Sequence, residues 1–318
     1  MSRIDAVFAR LRHRGERALI PYFCAGDPSL ETTARLVEEA DARGADLIEV
    51  GMPFSDPLAD GPTIQRAAVR ALERGTSLYR LLPVLAGISG RIRAPLVVMT
   101  YLNPLHRYGL EKVTRDLANA GVAGLIVPDC PIDESGPLGR AAEAAGLDLV
   151  ALAAPTSGPE RLRRIARASR GFVYLVPLTG ITGERTEVPP ELVRLVRDLR
   201  AVTTKPIGVG FGISTPDQVA AVVRHADGAI VGSAIVRLVE RLADDPALVT
   251  KVGDFVAALK GATYSEGGSA PLPTALAAHR PEAVRPIAAV DDHLGRRGAA
   301  PASGGDGNEP PSPREAAV

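Results

Sequence analysis

Net charge is the first thing this 318-residue chain lacks: 37 Lys and Arg balance 37 Asp and Glu. No overall field draws it to nucleic acid or to an anionic membrane surface. Cysteine is scarce, with Cys24 and Cys130 alone and far apart in the chain, which argues against a disulfide framework and fits a reducing cytoplasm. No apolar run approaches the ~18 residues that a membrane span requires, and the opening Met-Ser-Arg-Ile-Asp carries no apolar signal core. The five histidines, at 13, 106, 225, 279 and 293, show no HxH or HxxxH spacing, so no metal site is expected. There is no G-x-S-x-G elbow for a serine nucleophile, and no predicted strand carries a lysine for a Schiff base. What remains is a cytoplasmic protein doing acid–base chemistry on a small molecule without a cofactor.

What is present is core-forming material, 46% of the residues being hydrophobic, arranged in a regular alternation. Short apolar runs read as eight strands: Ala18 to Phe23, Leu47 to Val50, Pro95 to Thr100, Gly124 to Val127, Leu147 to Ala153, Gly171 to Val176, Pro206 to Gly210 and Gly228 to Val231. Helical stretches fall between them, over Leu30 to Arg43, Thr63 to Arg74, from Leu78 to Leu85, Glu111 to Ala120, Glu134 to Ala145, Pro159 to Ala168 and Pro190 to Ala201. Two more follow the last strand, near Ser233 to Ala243 and Pro246 to Lys260. The strands are too continuously apolar for half-exposed sheet, so the pattern predicts a parallel (β/α)8 TIM barrel. Ile4, Val7, Phe8 and Leu11 at helical spacing predict an extra N-terminal helix plugging one end. The barrel is expected to occupy residues 1–262. From 263 to 318 a Pro/Gly/Ala-rich tail without periodicity is expected to be mostly disordered.

In such a barrel the chemistry lies on the loops after the strands, and one loop dominates. Asp46-Leu-Ile-Glu-Val-Gly-Met-Pro-Phe-Ser-Asp-Pro-Leu-Ala-Asp-Gly-Pro-Thr-Ile-Gln65 runs from a buried strand that ends in a carboxylate, Glu49, into a proline-rich loop holding Asp56 and Asp60. Two carboxylates in different surroundings can be held one protonated and one ionised, as acid–base catalysis requires. Residue types alone leave a second reading open, in which Glu49 pairs with an arginine and the aspartates shape turns.

Three glycine-bearing segments follow strands six to eight: Thr179 to Gly183, Gly208 to Ser214 and Val231 to Ser233. Backbone N–H groups in such loops commonly hold phosphate, and tight turns alone are the alternative. The spacing in Gly208 to Gly212 is not that of a dinucleotide fingerprint. Lys205 precedes a proline at the start of a strand, on the far face from these loops, and is not assigned to phosphate.

The stretch from Asp46 to Gln65 resembles the signature of the tryptophan synthase alpha subunit, almost without a break from Gly51 onward, and the likeness extends over roughly Ile4 to Lys260. That resemblance implies a lyase that cleaves indole-3-glycerol phosphate by a retro-aldol route, with no cofactor. It implies Glu49 as the general acid–base residue, Asp60 as the carboxylate for the indole N–H, and Tyr174 beside the glutamate. Gly183, Gly212, Gly232 and Ser233, with Phe211 and Ile213 lining, match the phosphate site. Tyr22, Tyr101, Ile126, Leu152 and Ile230 match positions bordering the indole slot. It also implies a beta subunit as partner, in an α2β2 assembly, with Pro53 to Asp60 and Leu178 to Pro189 as closing loops. Cys24, Cys130 and Pro177 depart from the usual threonine, leucine and serine. Pro177 stiffens the sixth loop, which keeps two further expectations in play: a stand-alone lyase of specialised metabolism, and an inert barrel that only activates a beta subunit.

Overall fold

The alternation of apolar runs and amphipathic stretches closes into a single ring of strands. A computed structural model describes residues 1–176, 188–210 and 212–264. The strands are β1 (Ala18–Cys24), β2 (Ile48–Gly51), β3 (Leu96–Met99), β4 (Val122–Ile126), β5 (Asp148–Ala153), β6 (Val173–Leu175), β7 (Ile207–Gly210) and β8 (Gly228–Val231). They pair in parallel in chain order, and β8 closes on β1. The expected TIM barrel is therefore the observed fold.

Around the ring lie α2 (Leu30–Ala42), α3 (Pro62–Glu73), α4 (Leu78–Ser89), α5 (Leu102–Tyr108), α6 (Leu110–Asn119) and α7 (Gly136–Ala144), then α8 (Pro159–Ala168), α9 (Pro190–Arg200), α10 (Pro216–Val223), α11 (Ser233–Arg241) and α12 (Leu248–Gly261). The expected plug is α1 (Arg3–Arg14), opened by a capping box in which Ser2 and Asp5 bond each other's backbone.

Side chains alternate along each strand between the barrel interior and the helix layer. The interior is filled from below by Ile4, Val7, Phe8 and Leu11 of α1, which meet Ala18, Ile20, Leu47, Val97, Val150 and Phe172. The Phe8 and Phe172 rings lie 5.7 Å apart. Leu47 faces this interior and Ile48 the helix layer, so the period of two turns Glu49 inward, one layer above the plug.

Three features differ from the sequence reading. α5 was not expected, because seven residues with Leu105 as the only buried one carry too little periodicity to register. α10, required by the barrel pattern, has no span in the sequence reading, since Val219, Ala221, Val222 and Val223 are all buried and leave almost no polar face to set a period. α7 starts at Gly136 rather than Glu134, because Pro137 is confined to its first turn.

Candidate active site

The register of the sheet brings the site together. Glu49 pairs with Tyr22 of β1 on one side and Val97 of β3 on the other, so the carboxyl leaves the sheet among apolar neighbours. It is 1% exposed, and among the described residues neither of its oxygens has a hydrogen-bond partner. Burial, and then the nearby Asp60 charge, push its pKa up to about 8.

Asp60 comes from the loop between β2 and α3. Gly61 caps α3 and Pro62 opens it, so the helix cannot begin earlier and the carboxylate stays on the loop. Gln65 Nε2 donates to the Asp60 carbonyl at 2.8 Å. Burial raises the Asp60 carboxyl to about 6, against the lowering pull of the nearby Tyr101 hydroxyl. Tyr101 also accepts from the Ala59 N–H at 3.0 Å and stacks on Phe54 with ring centroids 5.1 Å apart, which fixes both ends of the loop.

A cavity of about 120 Å³ opens between the two acids. Its size is on the order of the ~150 Å³ hole that accommodates one benzene ring. Tyr22, Ile126, Leu152, Tyr174 and Ile230 form its walls, and Gly212, Gly232 and Ser233 close the far side. Tyr101 is not a wall residue; it stands behind the loop that carries Asp60. Ala59 and Gly61 beside Asp60 also line it, and Met99, Ile64, Pro128 and Val176, which complete the lining, were missed. For Met99 a signal existed, since alternation from the inward Val97 places it inward too, level with Gly51 and Ile126.

Two glycines make room for the tyrosines. A Cβ on Gly51 would lie 2.0 Å from the Tyr22 hydroxyl oxygen, and one on Gly210 would lie 2.3 Å from that of Tyr174. Burial raises both phenols well above their ordinary range, so they stay protonated beside the acids.

At the far side α11 starts directly at Ser233, with no side chain capping its first turn. The leading N–H groups of that turn lack intrahelical acceptors, and with the helix dipole they form a place for an anion. Gly183, Phe211 and Pro177, and most of the Leu178 to Pro189 loop, lie outside the described residues, as does the chain from 265 on.

The other acids and thiols have structural surroundings. Asp56 accepts from the Ser55 hydroxyl at 2.6 Å, and Asp129 caps the start of α5 by accepting from the Leu102 N–H at 2.9 Å. Cys24 is buried and Cys130 half-buried, both as free thiols. Lys205 donates to the carbonyls of Ala166, Arg167 and Ser169, at the end of α8 and away from the cavity. Among the described residues no cluster of His, Cys, Asp or Glu could hold a metal ion, and no helix is long and apolar enough to cross a membrane.

Comparison with known proteins identifies the family. The family model described as tryptophan synthase alpha chain matches residues 8–263. The tryptophan synthase alpha chain of Gloeobacter violaceus is 51% identical over 264 residues, covering 83% of this chain and 95% of that one. That of Acaryochloris marina is 52% identical over 237 residues, covering 74% and 89%. Among solved structures, Mycobacterium tuberculosis tryptophan synthase superposes with a TM-score of 0.77 at 39% identity, covering 83% of this chain and 99% of that one. The alpha chain from Legionella pneumophila gives 0.77 at 32% identity, covering 85% and 100%.

Proposed function

The chain belongs to the tryptophan synthase alpha chain family, and from that premise we propose that Glu49 and Asp60 together carry its lyase reaction. The reaction splits indole-3-glycerol phosphate into indole and glyceraldehyde 3-phosphate, and the alpha chain acts with a beta subunit. One observation carries the assignment: a buried glutamate with both oxygens unbonded faces the same cavity as a second, more acidic carboxyl.

Near neutral pH the split between about 8 and about 6 leaves Glu49 protonated and Asp60 ionised. With the indole ring in the cavity, Glu49 gives its proton to ring carbon C3 while Asp60 takes the N–H proton. The product of this step is a neutral tautomer whose ring can accept electrons. Ionised Glu49 then removes the proton of the hydroxyl next to the ring, and the C–C bond breaks with its electron pair entering the ring. The ring nitrogen recovers its proton from Asp60, and both acids return to their starting states. The balance closes on two side chains, and apolar walls keep water from the intermediate.

The phosphate is assigned to the N-terminal turn of α11 with Gly212, Gly232 and Ser233, and from sequence Gly183 and Phe211 join it. Anchoring there lets remote binding energy hold the reacting carbon against Glu49. Tyr174 is assigned to orienting the substrate beside Glu49. A stand-alone lyase and an inert activating barrel are not favoured: both carboxylates face the cavity, and the relatives are described as synthase alpha chains.

Glu49→Gln tests the assignment. The amide matches the protonated acid in shape but cannot shuttle a proton, so kcat falls by about 10³-fold or more while KM stays near its original value. Wild-type turnover by this variant, followed as indole release, would refute it.

A further inference from the structure

The β1–β8 side of the site is braced by a charged network that the chemistry itself does not use. α3 carries Asp60 just ahead of its first turn, and α11 begins at Ser233, at the proposed phosphate anchor. The two helices pack on each other and on β1. Yet the face that α3 buries is Ile64, Ala67, Ala68 and Ala71. Three alanines and one larger side chain offer little ridge to seat in a neighbour's groove, so apolar packing alone leaves α3 poorly fixed against sliding or rolling.

Arg70 supplies the missing fix. Its Nε and Nη2 meet the Asp27 carboxylate at 2.9 and 2.6 Å, in the two-pronged geometry that gives direction as well as strength. Its Nη1 reaches Glu240 of α11 at 2.7 Å. One turn earlier on α3, Arg66 grips the same Glu240 through Nε at 3.1 Å and Nη2 at 3.0 Å. Asp27 lies in the loop after β1 and is 5% exposed; among the described residues Arg70 is the one cation that pairs with it. A single side chain on α3 thus ties together the β1 loop, α3 and α11.

We propose that Arg70 is a positioning residue for the cleavage: it locks the helix that presents Asp60 to the helix that presents the phosphate anchor, so that anchoring the substrate and aligning Asp60 become one event. The inference rests on the roles given above to Asp60 and Ser233. Arg70 does not line the cavity; it meets the site through the loop and helices that it ties together. Its action therefore runs through where α3 sits.

The test uses the full chain with Arg70→Met, Arg70→Lys and Glu240→Gln, each alone and with Asp60→Asn, and follows indole released from indole-3-glycerol phosphate. Arg70→Met lowers kcat by about 10- to 100-fold, the scale expected of a displacement near 1 Å, while KM changes by less than about threefold because the anchor's own groups remain. Arg70→Lys keeps the charge but not the two-pronged grip and falls in between; Glu240→Gln gives a smaller loss in the same direction. In the Asp60→Asn background the Arg70 and Glu240 substitutions cost no further turnover, since the group they position is already disabled. Arg70→Lys and Glu240→Gln carry the test should Arg70→Met fail to fold. If these variants are folded and keep wild-type kcat while Asp60→Asn is inactive, the positioning role is overturned and the role of Asp60 stands. If Asp60→Asn itself turns over at the wild-type rate, the reading of the site fails and the inference loses its premise.

Discussion

Glu49 and Asp60 are nearly the same chemical group, and only their surroundings set their pKa values apart. The sequence already set the two carboxylates apart, since one closes an apolar strand and the other follows a proline-rich loop. It could not rank them, because the ranking comes from how many apolar walls each meets after folding and from Tyr101, which is 41 residues from Asp60 in the chain. That ranking has a measurable consequence. The proposed reaction requires Asp60 ionised and Glu49 protonated, so kcat/KM should rise with pH through about 6 and fall beyond about 8. The Tyr101 hydroxyl favours the ionised form of Asp60 and holds its pKa down. Tyr101→Phe removes that hydroxyl, so the acidic limb moves to higher pH while the alkaline limb, set by Glu49, stays. An acidic limb unmoved in Tyr101→Phe would assign that limb to another group.

Among the elements, the strands were the most legible, because continuous apolar runs bounded by glycine and proline leave few alternatives. Bounds slipped by a residue or two, as at β2, and the helices that escaped notice were the shortest ones, α5 and α10. What no run of residues announces is where α3 goes. It follows β2 in the chain yet packs on β1 and α11, and that excursion is what brings Asp60 over the barrel mouth. Nor do single strands announce the pairing of tyrosine with glycine across neighbours, Tyr22 over Gly51 and Tyr174 over Gly210. A methyl group at Gly210 would sit 2.3 Å from the Tyr174 hydroxyl oxygen and 2.7 Å from the ring carbon that bears it, so the ring must swing out of its place. Gly210→Ala should cost about 1–3 kcal/mol of stability, as overpacking does, and lower kcat with the ring displaced from the cavity wall. Adding Tyr174→Leu relieves the clash and returns part of the stability, while activity stays low. Thermal melts and indole release on the single and double variants check both halves.

At the level of the whole barrel, the last described helix is tied to the strands by a contact between residues 214 positions apart. Asp46 stands just before β2. One carboxylate oxygen accepts from the Leu19 N–H of β1 at 2.9 Å and from Lys260 Nζ of α12 at 2.8 Å. Both side chains are 8% exposed, so the last described helix is stapled to the first two strands by a buried ion pair. Breaking such a pair from one side leaves a buried charge without compensation, at a cost of about 3–5 kcal/mol. Lys260→Met should therefore lower the urea midpoint at neutral pH with little change in the slope. The sign of the pH dependence follows from Asp46. Burial already raises its carboxyl above the ordinary value, and Lys260 pulls it back down. Without the lysine, the folded protein holds the Asp46 proton more tightly than the unfolded chain does, so the variant regains stability as pH falls through that raised pKa. The deficit against wild type should accordingly narrow from pH 8 to pH 5. Adding Asp46→Asn to Lys260→Met should recover more than half of the loss at pH 8, because an amide oxygen still accepts from Leu19 and no charge is buried. A deficit independent of pH, or a double variant no more stable than the single one, would mean that Lys260 acts through its packing and that the ion pair does not hold α12 on the strands.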